Sequence, residues 1–204
     1  MKSTLDHLAI VAPDLDSGCA FVSRVLGVDL QPGGAHPRMG THNRLLRLGS
    51  DTYLEVIAID PTAPRPDRPR WFGMDDLAGD TPPRLATWVA RTDDIHAISE
   101  TCRAIVGNPE PMTRGTLAWQ ITLPADGSLP LKGSAPTLIQ WEQTPHPASG
   151  MQDQGCELVA LEVFDSINFS GPVHLHALDA TAKPYLIAHI QTPSGLKTLP
   201  IVHA

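Results

Sequence analysis

The stretch LDHLAIVAPDLDSGCAFVSRVLG, Leu5 to Gly27, decides the fold. It opens on alternation, with His7, Ala9 and Val11 on one face and Leu8, Ile10 and Ala12 on the other, the period-two pattern of a strand. Pro13 and Asp14 end that pattern, and a helix follows. Asp14 or Asp16 caps its start, Leu15, Cys19, Val22 and Val25 or Leu26 recur at helical spacing, and Gly27 stands where a left-handed C-terminal cap belongs. The plan returns in RLATWVARTDDIHAISETCRAIVG, Arg84 to Gly107. There a strand from Leu85 to Ala90 leads to a cap at Asp93-Asp94, then to Ile95, Ile98, Cys102 and Ile105 on one face, with Gly107 closing. One strand–helix unit occurs twice.

More strands follow each helix. In the first unit they are Asn43 to Leu48 and Thr52 to Ile59, joined by a turn at Gly49-Ser50-Asp51; in the second they are Leu117 to Leu123 and Pro136 to Glu142. The proline-rich DPTAPRPDRPRWFGMDDLAGDTPP between them is unfit for a central strand and predicts a connector that also wraps the surface. After Gly150, CELVALEVFDS predicts a strand and turn, and KPYLIAHIQTPSGLKTLPIV a hairpin with Pro193-Ser194-Gly195 at its tip. This abbreviated third unit is expected to cover or extend the sheet, since an open edge invites mispairing. The expected organisation is a first module at 1–60, a connector at 61–82, a second module at 83–147 and the short β module at 148–204.

At 204 residues a sizeable core is available, and 42% hydrophobic with 18% charged residues fits a folded protein. A formal charge of -7, with the 15 Lys and Arg scattered, disfavours nucleic acid and anionic membranes, both of which call for a basic patch. A small molecule is the expected partner. No signal peptide or membrane-spanning run is read from the sequence, and Cys19, Cys102 and Cys156 are odd in number without a Cys-x-x-Cys, which suits a reducing compartment; the expected location is cytoplasmic. No serine-hydrolase elbow, nucleotide-binding loop or His-Glu-x-x-His motif is present.

Glu55 is the anomaly, a carboxylate between Leu54 and Val56 in an apolar strand, where burial demands a partner. Alternation sends Tyr53, Glu55 and Ile57 to the face that His7, Ala9 and Val11 share. With a two- or four-residue hairpin loop at Ser50-Asp51, Arg44 and His42 join Glu55; an odd loop or a bulge replaces them by Asn43 and Leu45.

Taken together, LDHLAIVAPDLD, GGAHPRMGTHNRLLRLG, TYLEVIAID, RTDDI and PTLIQW resemble the glyoxalase-like domain branch of the vicinal oxygen chelate superfamily, in order over Leu5 to Pro147. The resemblance implies an α+β fold of two paired βαβββ modules whose curved sheets form a cup, followed here by the truncated C-terminal β module. It also implies a divalent metal (Zn, Ni, Mn or Fe) inside the cup, and relatives that complete a cup by pairing modules within a chain or in a homodimer. His7 and Glu55 fall where the superfamily places the first module's two metal ligands. The second module departs from the pattern, with Thr87 at the histidine position and Gln140 at the glutamate position; Glu142, two residues on, is the substitute.

The functions this implies are ranked. First comes a metal-dependent lyase or isomerase in which His7, Glu55 and Gln140 or Glu142 hold the ion, Glu55 moves a proton as general base, and Arg44, His42, Asn43 and Trp119 contact substrate, Arg44 gripping a carboxylate. Second is a metal-free small-molecule binding protein with the same cup. Third is an extradiol-type dioxygenase, which needs two histidines and a carboxylate, with His42 filling the gap. Plainer roles stand beside these: His7 as a strand-entrance residue, His36 as a loop residue, Cys19 and Cys102 as packing, Trp88 and Trp141 as core or cup lining, and His174-x-His176 as a solvated pair.

Overall fold

The computed structural model describes residues 3–142, 146–164, 173–176 and 186–200, without the side chains of residues 164, 173–176 and 200. The first module runs β1 (Ser3–Val11), α1 (Leu15–Leu26), β2 (Gln31–His36), β3 (Thr41–Arg47) and β4 (Tyr53–Ile59). The second repeats the order as β5 (Arg84–Thr92), α2 (Ile95–Val106), β6 (Asn108–Arg114), β7 (Leu117–Leu123) and β8 (Thr137–Trp141). Both helices begin as the sequence predicts. The Asp14 side chain accepts from Ser17 N at 2.7 Å and that of Asp94 from Ala97 N at 3.0 Å, and Gly27 ends α1 in the left-handed conformation at φ 74°.

All eight strands form one curled sheet in the order β2-β3-β4-β1-β5-β8-β7-β6. β1 and β5 pair antiparallel at its centre, each flanked by the last strand of its own module in parallel. The curl brings the edge strands β2 and β6 together, so the cup closes within one chain. Charge latches that closure: Glu110 on β6 accepts from Arg38 at 2.5 Å and pairs with Arg68, while Arg38 also donates to Pro111 O at 2.6 Å.

The predicted alternation separates two cores. Leu8, Ile10, Leu54 and Val56 pack outward with the helices, while Ala9, Val11, Ile57, Trp119 and Ile139 pack inside the cup. The connector does more than span the modules: its 3-10 segment Trp71–Asp76 drives Trp71, Phe72 and Met74 into the inner core. The C-terminal residues form a second sheet, order β10-β9-β11-β12, from β9 (Glu157–Phe164), β10 (Val173–His176), β11 (Leu186–Thr192) and β12 (Gly195–Pro200). Leu161, Val163, Ala188 and Ile190 join the outer core, so this sheet covers the back of the cup as a second layer. The side chains of His174 and His176 lie outside the described residues. Among the described residues, no helix is long and apolar enough to cross a membrane.

Candidate functional site

His7 and Glu55 meet on the concave face. His7 Nε2 lies 3.7 Å from Glu55 Oε2, and both side chains are buried. The parallel pairing of β1 with β4 sets this approach, matching His7 to Tyr53 and Ala9 to Glu55 so that the two side chains are diagonal neighbours. Each is tied down at its far end. Asn43 Nδ2 donates to Glu55 Oε1 at 2.5 Å, and His7 Nδ1 bonds Asp6 Oδ1 at 2.6 Å while the imidazole stacks on Tyr53 at 4.5 Å.

Asp6 is the residue that strict alternation hides. Register slips between Leu5 and His7 opposite β5, a bulge that lets adjacent side chains touch instead of pointing to opposite faces. Fully buried, Asp6 also accepts from Trp141 Nε1 and bonds His146 Nε2 through Oδ2, each at 2.9 Å. Burial raises the pKa of this carboxyl, but the hydrogen bonds and charges of His146 and His7 prevail and hold it well below the usual carboxylate range. Asp6 is thus a buried carboxylate that fixes three rings. Tyr53 is pushed the other way, well above the usual phenol value, by burial and then by the charges of Asp6 and Glu55.

The hairpin between β3 and β4 takes the odd-residue alternative. Arg47 pairs with Tyr53 and Leu45 with Glu55, so Asn43 and Leu45 face inward. Arg44 and His42 therefore sit on the α1 side; Arg44 lies near enough to Cys19 for its charge to act on that thiol. This corrects the expectation that they share the face of Glu55. Asn43 is the partner Glu55 requires. Its Oδ1 accepts from Gly34 N at 2.8 Å, which fixes the amide's orientation, and a Cβ at Gly33 would stand 2.0 Å from that oxygen, so the Gly33-Gly34 pair makes the crossing possible.

The second module is corrected as well. Gln140 points to the helix side, where its Oε1 accepts from Ile95 N at 2.8 Å, and Glu142 is exposed beyond the end of β8. Inside the cup their strand presents Ile139 and Trp141. Trp119 does line the pocket, while Trp88 is outer core with Nε1 bonded to Ser134 O at 2.9 Å. Thr87, opposite Ala9, is buried.

These placements test the expected metal. His7 Nε2 and Glu55 Oε2 are spaced to share an ion, but a resident zinc or iron ion is ordinarily held by three or four protein donors. The far wall supplies hydrocarbon and indole, and Arg114 brings a positive charge into the same pocket. No group of three His, Cys, Asp or Glu residues able to hold a metal occurs among the described residues. The donor set does not fit the metal centre that the resemblance implies, nor the two-histidine, one-carboxylate set of a dioxygenase: His42 lies on the other face, and His36, which shares the pocket, engages Thr41 through Nδ1 and faces Arg114 through Nε2.

His36, expected in a loop, ends β2 with its ring buried in the pocket between Trp71 and Trp119. Burial lowers its pKa from 6.5 to about 4, with the charges of Arg114 and His7 acting in the same direction and Glu55 opposing. The neutral ring bonds Thr41 Oγ1 through Nδ1 at 3.1 Å and lies 3.5 Å from Arg114 NH1 through Nε2. Because the folded state resists a proton that the unfolded chain takes up near 6.5, stability present above that pH is lost as pH falls toward 4. The whole drop corresponds to about 3 kcal/mol. Denaturant unfolding between pH 7 and pH 4 should show this slope, and His36→Gln should flatten it; equal slopes in both proteins would contradict the assignment.

His7, Glu55, Trp71 and Trp119 enclose an inner pocket of about 20 Å³, room for one water-sized group, and Arg114, which lines it, also lines an open groove of about 820 Å³ along β2 and the β6–β7 hairpin. No curated protein matches the chain in sequence. Among solved structures it is similar to a hypothetical protein from Staphylococcus aureus, with TM-score 0.54 and 18% identity over 80% of this chain and 69% of that one. It also matches a methylmalonyl-CoA epimerase in complex with methylmalonyl-CoA and ammonium (TM-score 0.47, 16% identity, 72% of this chain and all of that one). The Mycobacterium tuberculosis methylmalonyl-CoA epimerase gives TM-score 0.43 and 18% identity over 69% of this chain and 88% of that one. At these identities the likeness concerns the fold alone. The sequence model of the glyoxalase-like domain matches residues 5–166, most of the chain and both modules but for the first residues of β1, and the protein belongs to that family of the vicinal oxygen chelate superfamily.

Proposed function

We propose that the chain is a small-molecule enzyme of the lyase or isomerase type that moves a proton at a carbon next to a carbonyl, using Glu55 and His7 without a resident metal. The observation that carries this reading is the 3.7 Å approach of His7 Nε2 to Glu55 Oε2 at a buried, aromatic-walled pocket, with each group anchored behind. Glu55 Oε2 takes the proton from carbon, and the electron pair of the C–H bond moves onto the carbonyl as an enolate. His7 Nε2 stands next in line to receive that proton, and Asp6 offsets the charge gained by the imidazole. Delivery of a proton to the opposite face of that carbon gives isomerisation, return to the original face gives exchange alone, and departure of a β-substituent gives elimination. The apolar walls exclude water from the enolate.

A second reading, a binding protein with no chemistry, is favoured by the far wall, where Ile121, Ile139 and Trp119 offer contact but no acid or base. One experiment separates the two. A panel of small oxo acids, ketones and thioesters is incubated with the protein in deuterated water, and the proton beside the carbonyl is followed by NMR. Protein-dependent loss of that signal for one class supports the enzyme. Tight binding with the signal intact throughout the panel would establish the binder and overturn the first reading.

A further inference from the structure

We infer that Arg114 and Trp71 form an anion seat at the neck of the site, and that the substrate is an oxo acid whose carboxylate sits there while its apolar tail lies in the groove along β2. This rests on the proton-transfer reading and adds the substrate class to it. The inner pocket holds little more than the reacting group, and Arg114 lines both it and the groove, which offers the space for the rest of a substrate.

Arg38, Arg47, Arg68, Arg70 and Arg91 each pair with a carboxylate; Arg114, like Arg24, Arg44, Arg65, Arg84 and Arg103, makes no ion pair among the described residues, and of these it is Arg114 that lines the inner pocket. Its one described hydrogen bond runs to His36 Nε2, a neutral acceptor that steers the guanidinium without cancelling its charge. That leaves the other N–H groups for a planar anion.

Trp71 supplies an independent observation. Its ring lines the inner pocket and is 3% exposed, yet Nε1 is buried with no hydrogen-bond acceptor among the described residues. A buried indole N–H without an acceptor is costly, and a ligand oxygen in this pocket would satisfy it. Room for the arginine stem is built in as well, because a Cβ at Gly34 would lie 2.8 Å from Arg114 Cδ. Leu45, Leu117 and Met151 give the groove its apolar surface. A carboxylate gripped at the neck holds an adjacent carbonyl inward, toward His7 and Glu55.

The test is calorimetric titration with α-ketooctanoate and with its methyl ester, which keeps the tail and the ketone but lacks the charge. Wild type should bind the acid at least about tenfold more tightly than the ester, in line with a charge-assisted hydrogen bond. Arg114→Gln should bring the acid down to the ester's level and leave the ester unchanged. Arg114→Lys should fall between, and Trp71→Phe should weaken the acid several-fold. Equal binding of acid and ester by wild type, no binding of the acid at millimolar concentration, or equal loss of both ligands in Arg114→Gln would overturn the seat. Deuterium exchange read on the same samples keeps the two readings apart: acid preference without exchange sinks only the proton transfer, and exchange without acid preference sinks only the seat.

Discussion

Asp6→Asn is expected to lower stability by about 2–4 kcal/mol and to slow proton exchange on substrate by about 10²–10⁴-fold, while substrate still binds. Both losses follow from one constraint on the amide. Trp141 Nε1 only donates, so the Asn oxygen must face Trp141 and His146, and the NH2 group is left facing His7 Nδ1. That nitrogen must then accept, which moves the His7 proton to Nε2, the atom that faces Glu55. The relay loses its proton acceptor, and the buried cluster loses the carboxylate charge that faces His7 and His146. Denaturant unfolding and the imidazole nitrogen shifts of His7 check the two parts. Unchanged stability together with an unchanged His7 tautomer would show that Asp6 does not govern the ring.

Glu55→Gln is the second large effect, a fall of about 10²–10⁴-fold in the exchange rate at nearly constant substrate affinity. Glutamine keeps the volume, and its Oε1 still accepts from Asn43 Nδ2, so the pocket retains its shape. What disappears is the basic oxygen beside His7 Nε2. His7→Gln should also slow exchange, and the double variant should lose less than the product of the single losses, because the two groups act as one relay. Exchange by Glu55→Gln at the wild-type rate would remove Glu55 from the chemistry and leave His7 to be tested alone.

Much of the fold is legible in the chain because two physical patterns agree. The alternation of β1 and β4 sorts His7, Ala9, Val11, Glu55 and Ile57 inward, and aspartate caps mark both helices. Both edge strands escape notice for one reason: β2 contains Pro32, Gly33 and Gly34, and β6 contains Pro109 and Pro111, residues that weaken a strand pattern but are tolerated at the rim of a sheet. His36 goes unrecognised with its strand.

The site is harder to read, because alternation holds only between irregularities. The bulge that turns Asp6 onto His7 and the odd hairpin loop that exchanges Arg44 for Asn43 are each single-residue events. Gln140 illustrates the same limit. Aligned to Glu55 by neighbouring residues, it lies on the opposite face and caps α2. Arg114 and Trp71 come from the sheet's far edge and from the connector, and only the curl of the sheet brings them to one pocket.

The central claim is that this cup moves a proton with its own residues, although the family resemblance implies a metal. The decisive measurement is the exchange rate of a reactive oxo acid before and after exhaustive chelation, followed by addition of zinc, nickel, manganese or iron. The account predicts one rate throughout, unaffected by the ions and cut sharply by changes at Glu55, His7 or Asp6. A rate that collapses on chelation and returns with one of those ions would contradict it.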